Sequence, residues 1–498
     1  MRYNAKSAQI EVSWTRSSIL LHLHHFIREL LPGRVAERLI ASLLKSEKPE
    51  RVSKVRILPL PPSSVTRTKG IYVEIQQYSI NTVAGPIPLL LLPIPGRATT
   101  SVRIIIDSGS VDERESEYGI AHFLEHMAFK GSEKYTCEQI NRELASVGDP
   151  NAYTSGDRTV YYIDTIPQFI KKAAEFLAEM VFHSTLPVEE LEKERGVILQ
   201  EWQASEDSAG GFYFGTAAPT VFGPKGHQTL GTDKHIKAHT REAIQAFKQR
   251  TYALDRITFA VVGNIPDSSI QKTVDELTDV FSKEGVGFST ELETIPTRVF
   301  IQPGADTEIK HISTQAWLGL WWPWFDLAET HSKDYSTLIF DNILGDGLHS
   351  LLTTELREKQ GLCYSSGCFA HGFQNNPAFI TYCLLKKDKI VAAKAAMLDV
   401  LSKIRDTGID PELMAISKAN FLIKGTQSFD GRSKYSTVVD CWRERFPVMG
   451  NRIRTMEDVE LCVSKFTQET AKDLADYMLK TPYHTITMTE KSGIDSTI

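Results

Sequence analysis

Apolar positions in this chain change their spacing in a way that marks out its elements. Val73 to Ile80 is a strand-like run, Gly85-Pro86 turns into Pro88 to Ile94, and Val102 to Ile106 ends at Asp107-Ser108-Gly109. Runs of aliphatic and β-branched residues bounded by turn residues predict strands. A spacing of three and four takes over around Gly119 to Phe129, Cys137 to Ser146, Ile170 to Phe182 and Pro187 to Ala204, which predicts helices. Thr159 to Thr165 and Ile257 to Val262 read as further strands. The periodicity breaks between Lys283 and Thr297, where Gly285, Gly287, Ser289 and Thr290 intervene, and the layout then restarts. A strand (Thr314 to Trp321), two helices (Tyr335 to Leu344, Ser350 to Lys359), two strands (Tyr364 to His371, Ala378 to Leu385) and a helix (Lys389 to Asp406) follow. Runs of strands among long helices, without regular βαβ alternation, predict an α+β fold. The repeated order predicts two similar domains from an internal duplication, each a mostly antiparallel sheet with helices packed on one face. The expected divisions are a leader over 1–69, a first domain over 70–285, a linker over 286–300 and a second domain over 301–498.

Composition narrows the class. The 498 residues are 42% hydrophobic and 24% charged, enough for more than one core. No run of eighteen or more apolar residues occurs, so no membrane-spanning segment is expected. Six cysteines (Cys137, Cys363, Cys368, Cys383, Cys441, Cys462) are scattered without C-x-x-C pairs, which suits a reducing compartment better than a disulfide framework.

The net charge of -6 hides an asymmetry. Residues 1–69 hold 13 Lys/Arg against 5 Asp/Glu, or +8, while the remainder holds 43 against 57, or -14. A basic leader raises nucleic-acid binding, membrane contact or targeting. Ser17 to Leu21 is too short for a signal sequence, His22, His24 and His25 interrupt it, and its acidic residues argue against a transit peptide. Val55-Arg56-Ile57 is instead what the T-arm of a transfer RNA gene, GTTCGAATC, encodes in one frame. Leu58-Pro59-Leu60-Pro61-Pro62 resembles a translated acceptor strand ending in CCA, and Gly33 to Glu37 the start of a serine transfer RNA read in the same way. The expectation is a start assigned upstream of the real gene, whose own start is a GTG- or TTG-type codon near Val65 or Val73. The plain alternative is a disordered basic tail.

The chemistry sits in Gly119-Ile120-Ala121-His122-Phe123-Leu124-Glu125-His126-Met127. On a helix, positions i and i+4 lie on one face a turn apart, so His122 and His126 can converge on one metal. Imidazole nitrogen suits zinc, and Glu125 can reach a water there. This is H-x-x-E-H, the reverse of H-E-x-x-H. A catalytic zinc takes three protein ligands, and Glu201 is the candidate for the third. Glu194, seven residues earlier on the same helical face, would orient a ligand or the water. Taken alone, both glutamates would be ordinary solvated helix charges. His235 and His239 share the i, i+4 spacing but have no carboxylate between them, and they read as surface or structural histidines.

With these residues in place, the chain resembles the pitrilysin, insulin-degrading and mitochondrial-processing peptidase family. The resemblance is carried by Gly119 to Gly131, Asn151-Ala152-Tyr153-Thr154-Ser155, Glu194 to Glu201, Gly226-His227 with Leu230-Gly231, Val261 to Asn264, and Leu356 to Tyr364. It spans about residues 71 to 490, and the length matches the short bacterial-type members that pair as dimers. It implies a zinc endopeptidase, one zinc per chain, whose halves share one fold and enclose a chamber. Glu125 would be the general base, and Asn151, Ala152, Tyr153 and Thr154 part of an edge strand that extended peptide substrate joins. Arg357 and Tyr364 match the family's second-half pair, for gripping a substrate carbonyl and donating to an oxyanion. The resemblance further implies a homodimer in which each chain lends Arg357 and Tyr364 to its partner's site. A cytoplasmic setting without a membrane partner is expected from the lack of a signal or spanning segment, and no nucleic-acid partner from the acidic body. Two departures stand out: Pro150 leads into Asn151, and Ala209-Gly210-Gly211 looks loose where a firmer transition is expected.

Other readings of the same residues are a non-catalytic structural or presenting homologue, a nucleic-acid-binding protein resting on the basic leader alone, and a metal-dependent hydrolase of small amides. The intact His122, Glu125, His126 and Glu201 set argues against the first, and the acidic body against the second.

Overall fold

How deeply a strand lies in its sheet follows from its own pattern of side chains. Thr100–Ile106 (β3) and Ile257–Gly263 (β6) are buried at every position and lie at the centre of the first sheet, whereas Gln76–Asn81 (β1) and Asp149–Thr154 (β4) alternate and form its two edges. With Pro86–Pro93 (β2) and Thr159–Thr165 (β5), the order is β1-β2-β6-β3-β5-β4. Only β2 and β6 run parallel. Pro150 lies in β4 opposite Ile163, a place where an edge strand tolerates a residue without an N–H.

The structure is a computed structural model. It describes residues 75–83, 85–94, 96–284, 304–324, 336–347, 349–373, 376–430, 432–440 and 455–491. The leader over 1–69, the linker over 286–300, Tyr335 and Cys441 lie outside the described residues. Residues 71–409 and 417–498 form one compact unit, and all contacts below lie within it.

The first-half helices follow the predicted periods closely. Ile120–Ala128 (α1) and Cys137–Val147 (α2) lie between β3 and β4 in sequence. Ile170–Phe182 (α3), Val188–Asp207 (α4), Ala209–Phe222 (α5), Asp233–Ala238 (α6) and Arg241–Thr251 (α7) connect β5 to β6, and Ile270–Phe281 (α8) follows β6. Ala209-Gly210-Gly211 is not loose: it opens α5, with the Ser208 hydroxyl accepting from the Gly211 N–H. A Cβ on Gly211 would meet the Ser205 carbonyl oxygen at 2.5 Å, so glycine is what lets α5 turn away directly from the end of α4.

The second sheet contains Asp306–His311 (β7), Ala316–Pro323 (β8), Cys363–Phe373 (β9), Asn376–Leu385 (β10) and His484–Glu490 (β11), in the order β7-β11-β8-β10-β9. Only β7 and β11 are parallel. Its helices are Ser336–Gly345 (α9), a π-helical stretch Thr353–Lys359, Ile390–Thr407 (α10), Pro411–Asp430 (α11), Arg432–Asp440 (α12), Met456–Lys465 (α13) and Gln468–Lys480 (α14). Setting β1 aside, the two sheets have the same strand order in sequence terms and the same polarity at each pairing. One five-stranded fold occurs twice.

The helices do not simply cover one face of their own sheet. On one face of the first sheet, Val102, Ile104 and Ile106 pack with Phe123, Leu124 and Met127 of α1 and with α3 and α7. The opposite face, with Leu90, Leu92, Ile105, Val160 and Val262, packs on Val439 of α12, a helix from the second half. The second sheet is covered in return by α5 of the first half, through Tyr213, Ala217, Val221 and Phe222 against Trp317, Trp321, Ile380 and Ile486. Tyr213 Oη donates to the Ile486 carbonyl at 3.2 Å and accepts from Trp321 Nε1 at 3.2 Å. Each half thus lends a helix to the other, and burial of apolar area holds them together.

Candidate metal centre

Helix α1 is fixed at its N-terminus before it presents any chemistry. Gly119 precedes it in the left-handed region (φ 91°), and a Cβ there would meet the Leu230 carbonyl oxygen at 2.4 Å. The facing Gly231 is also left-handed, and its Cβ would meet the Tyr118 carbonyl oxygen at 2.2 Å. The two glycines let these segments touch. Buried Glu113 then accepts from the N–H groups of Gly119 (2.8 Å) and Ala121 (2.9 Å), so a carboxylate meets the positive end of the helix. Burial pushes the Glu113 carboxyl up, and His227, with Nε2 2.8 Å from Glu113 Oε2, pulls it back. His227 stacks on Tyr118 at 3.7 Å between ring centres. Sequence reasoning assigned Glu113 no role, because its partners arise through long-range packing and follow no periodic pattern. His227 was noticed only as part of the family resemblance.

On this helix His122 and His126 stand side by side, 4.6 Å between ring centres. Glu201 on α4 comes over them: its Oε2 lies 3.5 Å from His126 Nε2 and 3.8 Å from His122 Nε2. These are the only three His, Cys, Asp or Glu side chains among the described residues whose ligand atoms so converge, all within 4.8 Å. Tetrahedral ligands bound to zinc at about 2.0–2.2 Å lie about 3.4 Å from one another, so the set fits that ion. At 3.5 and 3.8 Å, Glu201 is too far to satisfy either Nε2 well, so both ring nitrogens face the common point without a close protein partner among the described residues. Burial, with His126 beside it, holds the His122 imidazole down to about 3, which keeps it neutral and able to donate a lone pair.

Glu194 lies behind this set, not in it. Its Oε2 is 3.0 Å from His126 Nδ1, and its Oε1 pairs with Lys130 Nζ at 2.7 Å. A carboxylate accepting from Nδ1–H leaves the Nε2 lone pair pointing at Glu201, the arrangement that orients a metal-ligating histidine. Glu125, also buried, accepts from the Thr154 hydroxyl of β4. Burial pushes the Glu125 carboxyl up, Thr154 and His126 pull it down, and Glu201 pushes it up again. Adjacent to His126 on the same helix, it stands beside the convergent set.

The other predicted residues divide. Ala152 packs against the core behind α1, and Asn151 is exposed, its Oδ1 accepting from the Ala152 N–H at 2.8 Å. Tyr153 points to the opposite face of the sheet, toward Asp440. Arg357, in the π-helical stretch, and exposed Tyr364, on β9, come together with the guanidinium 5.6 Å from the ring centre. Among the described residues, neither touches the His122–His126–Glu201 set.

Two family profiles match the chain: insulinase (peptidase family M16) over residues 90–215, and the peptidase M16 inactive domain over residues 238–421. This chain belongs to the insulinase family, M16. Its relatives include proteins named uncharacterized zinc protease from Rickettsia bellii (27% identical over 66% of this chain and 79% of that one) and from Bacillus subtilis (YmxG, 26%, 68% and 81%). A Mycobacterium tuberculosis protein of the same description, Rv2782c, is 24% identical over 81% of this chain and 91% of its own. The fold matches a protease from Helicobacter pylori with a TM-score of 0.72 at 20% identity, covering 84% of this chain and all of that one. It also matches the periplasmic protease PqqL from Escherichia coli at 0.67 and 18%, where 84% of this chain covers 48% of the other.

The second half repeats the fold yet holds no comparable cluster among the described residues. Helix α9 stands in the same place in its half as α1, and α11 in the same place as α4. Where the first half gathers histidines and Glu201, a cavity in the second is lined by Leu338, Asp341 and Asn342 of α9 and Lys424 of α11. The Lys424 ammonium pairs with Asp346. Asp341, pushed up to about 7 by burial, accepts from Cys368 Sγ of β9 at 3.0 Å, much as Glu125 accepts from Thr154 of β4. The contact geometry persists, but the metal-ligand chemistry is gone.

His235 and His239 differ in burial. His235 is half-buried, with Nδ1 2.8 Å from the Thr232 hydroxyl, whereas His239 is 4% exposed and its Nε2 lies 3.1 Å from the Tyr118 carbonyl just before α1. Burial holds its imidazole down to about 4 from an ordinary 6.5. The unfolded chain therefore binds a proton between these values that the folded chain refuses. The contribution is complete above pH 6.5 and is lost as pH falls toward 4, on the order of 3 kcal/mol. Denaturant unfolding at stepped pH should show this acid loss in the wild type and a much flatter dependence in His239→Gln. Parallel curves would refute it.

Proposed function

We propose that this M16 chain is a zinc-dependent endopeptidase that cleaves unfolded peptides or small proteins, held as an added strand on β4 within an enclosed chamber. The observation that carries the reading is the convergence of His122 Nε2, His126 Nε2 and Glu201 Oε2 beside Glu125. Those three residues would hold the zinc, which when bound supplies Lewis acidity and a more acidic water. Glu194 fixes His126 through Nδ1. Glu125, placed by Thr154, takes a proton from the attacking water and returns it to the leaving amine nitrogen. Strand β4 ends its sheet, so its outer backbone groups are available to an extended peptide, which is bound through its main chain with little reading of sequence.

The second-half pair completes the reading. Arg357 grips a substrate carbonyl and Tyr364 donates to the developing oxyanion, each offered to the site of a partner in a two-fold homodimer. What supports this is their mutual contact, the exposure of Tyr364, and their separation from the first-half set. Five free cysteines among the described residues fit a reducing, cytoplasmic setting. No helix among the described residues is long and apolar enough to cross a membrane.

Native mass spectrometry should find one zinc per chain, and His126→Ala should abolish it; full retention would remove the ligand assignment. Glu125→Gln should keep the zinc while turnover of an unfolded peptide falls by about 10²- to 10⁴-fold. A variant with undiminished turnover would contradict the base.

Equal amounts of Glu125→Gln and Tyr364→Phe, each nearly inactive alone, should regain about a quarter of wild-type sites once subunits exchange. Half the dimers are then mixed, each with one intact site of two. No recovery under demonstrated exchange would rule out the shared site.

A further inference from the structure

The strand beside the candidate metal centre is tied from behind by a residue of the other half. Tyr153 and Thr154 are neighbours on β4 and point to opposite faces. Thr154 meets Glu125 on the α1 side, while the Tyr153 hydroxyl donates to Asp440 Oδ2 at 2.9 Å on the other. Asp440 is the last residue of α12, the helix lent by the second half, and is 3% exposed. Its carboxylate also takes both ends of the buried Arg103 guanidinium of β3, Nε to Oδ1 at 2.7 Å and Nη2 to Oδ2 at 2.6 Å. Its carbonyl accepts from Arg158 Nη1 at 2.8 Å, and Arg158 bonds Asp157 in the turn that joins β4 to β5. One residue therefore holds a central strand, the edge strand and the turn that follows it.

The chemistry of this tie is strong and directional. Arg103 lies with its guanidinium 4.4 Å from the centre of the Tyr162 ring, almost out of reach of water, so its charge needs a fixed counter-ion. Asp440 meets it bidentately, which fixes position as well as charge. Tyr153 is anchored to that rigid pair. An edge strand has neighbours on one side only and is free to shift sideways unless something restrains it. The restraint acts on the residue next to Thr154, so it sets where Thr154 stands against Glu125 and where the outer backbone of β4 is presented.

From this geometry we infer that Asp440 is a positioning residue of the site: through Tyr153 it fixes β4, the strand that receives substrate, relative to Glu125. The inference rests on the peptidase reading for its catalytic meaning, but its structural content is measurable without turnover. Hydrogen exchange of the full-length, zinc-loaded chain is compared for wild type, Asp440→Asn, Tyr153→Phe and the double variant, together with steady-state cleavage of an unfolded peptide. Tyr153→Phe removes one hydroxyl and leaves the Arg103 pair intact, so it reports even where Asp440→Asn fails to fold.

Exchange in 149–154 should rise about tenfold in Tyr153→Phe while that in 159–165 and 120–128 stays as in the wild type. KM should rise about tenfold, with a smaller fall in kcat through the Thr154–Glu125 contact, whereas general loss of stability would lower kcat and leave KM unchanged. The double variant should exchange 149–154 no faster than Asp440→Asn, because both act through one link. Wild-type exchange in 149–154 overturns the inference, and so does raised exchange with KM unchanged. A wild-type chain that cleaves nothing, with exchange as expected, condemns the peptidase reading and leaves the tie supported.

Discussion

Two imidazoles can face one point only if the helix that carries them is held against rotation, and in this chain that restraint is what the site depends on. The buried Glu113 carboxylate receives the first N–H groups of α1, and Gly119 and Gly231 allow the close approach that puts it there. Phe123, Leu124 and Met127 seat the opposite side of α1 on the sheet. His122 and His126 are left pointing toward α4, where Glu201 lies over them and Glu194 grips His126 from behind. A rotation of one residue, about 100°, would bury the histidines in the core and present Phe123 and Met127 to Glu201.

The reciprocal loan of α5 and α12 adds a second level of constraint. Because α12 covers the back of the first sheet, the second half takes part in the candidate site without supplying a ligand. Its own counterpart cavity has an acid held by a strand side chain, Asp341 with Cys368, but carries Leu338, Asn342 and Lys424 where the first half gathers His122, His126 and Glu201. An ammonium paired with Asp346 supplies fixed positive charge there. The two copies thus differ: one carries the convergent imidazole and carboxylate set, and the other repeats the fold and covers the back of the first sheet with α12.

Much of the site was legible because its signals are local or periodic. His122 and His126 are one turn apart, Glu194 and Glu201 two turns apart, and helical spacing alone puts each pair on one face. The β-branched runs of β3 and β6 were readable as strands, but their burial on both faces was not, because Arg103 interrupts β3 and what covers that face comes from α12 of the second half. What escaped is long-range or polar. Asp440 is 337 residues from Arg103, and Glu113 is 114 residues from His227, so no window of sequence joins them. Strand β7 alternates in burial, but of its inward residues Thr307, Ile309 and His311 only Ile309 is apolar, so no hydrophobic pattern announces it. The opening of α5 at Ala209-Gly210-Gly211 was misread because two glycines suggest a loop, whereas the neighbouring Ser208 cap and the tight approach to Ser205 make one of them a helix start. His239 was grouped with His235, although His235 lies within a short helix and His239 just past its end, buried against the segment before α1.

The central claim is that two imidazoles and one carboxylate of the first half hold a zinc ion. X-ray absorption at the zinc edge on the purified full chain tests it most directly. The account predicts a four-coordinate site with two imidazole nitrogens and light oxygen scatterers at about 2.0–2.2 Å, and loss of one oxygen contribution in Glu201→Ala. A sulfur scatterer at about 2.3 Å, or a spectrum unchanged in that variant, would contradict it.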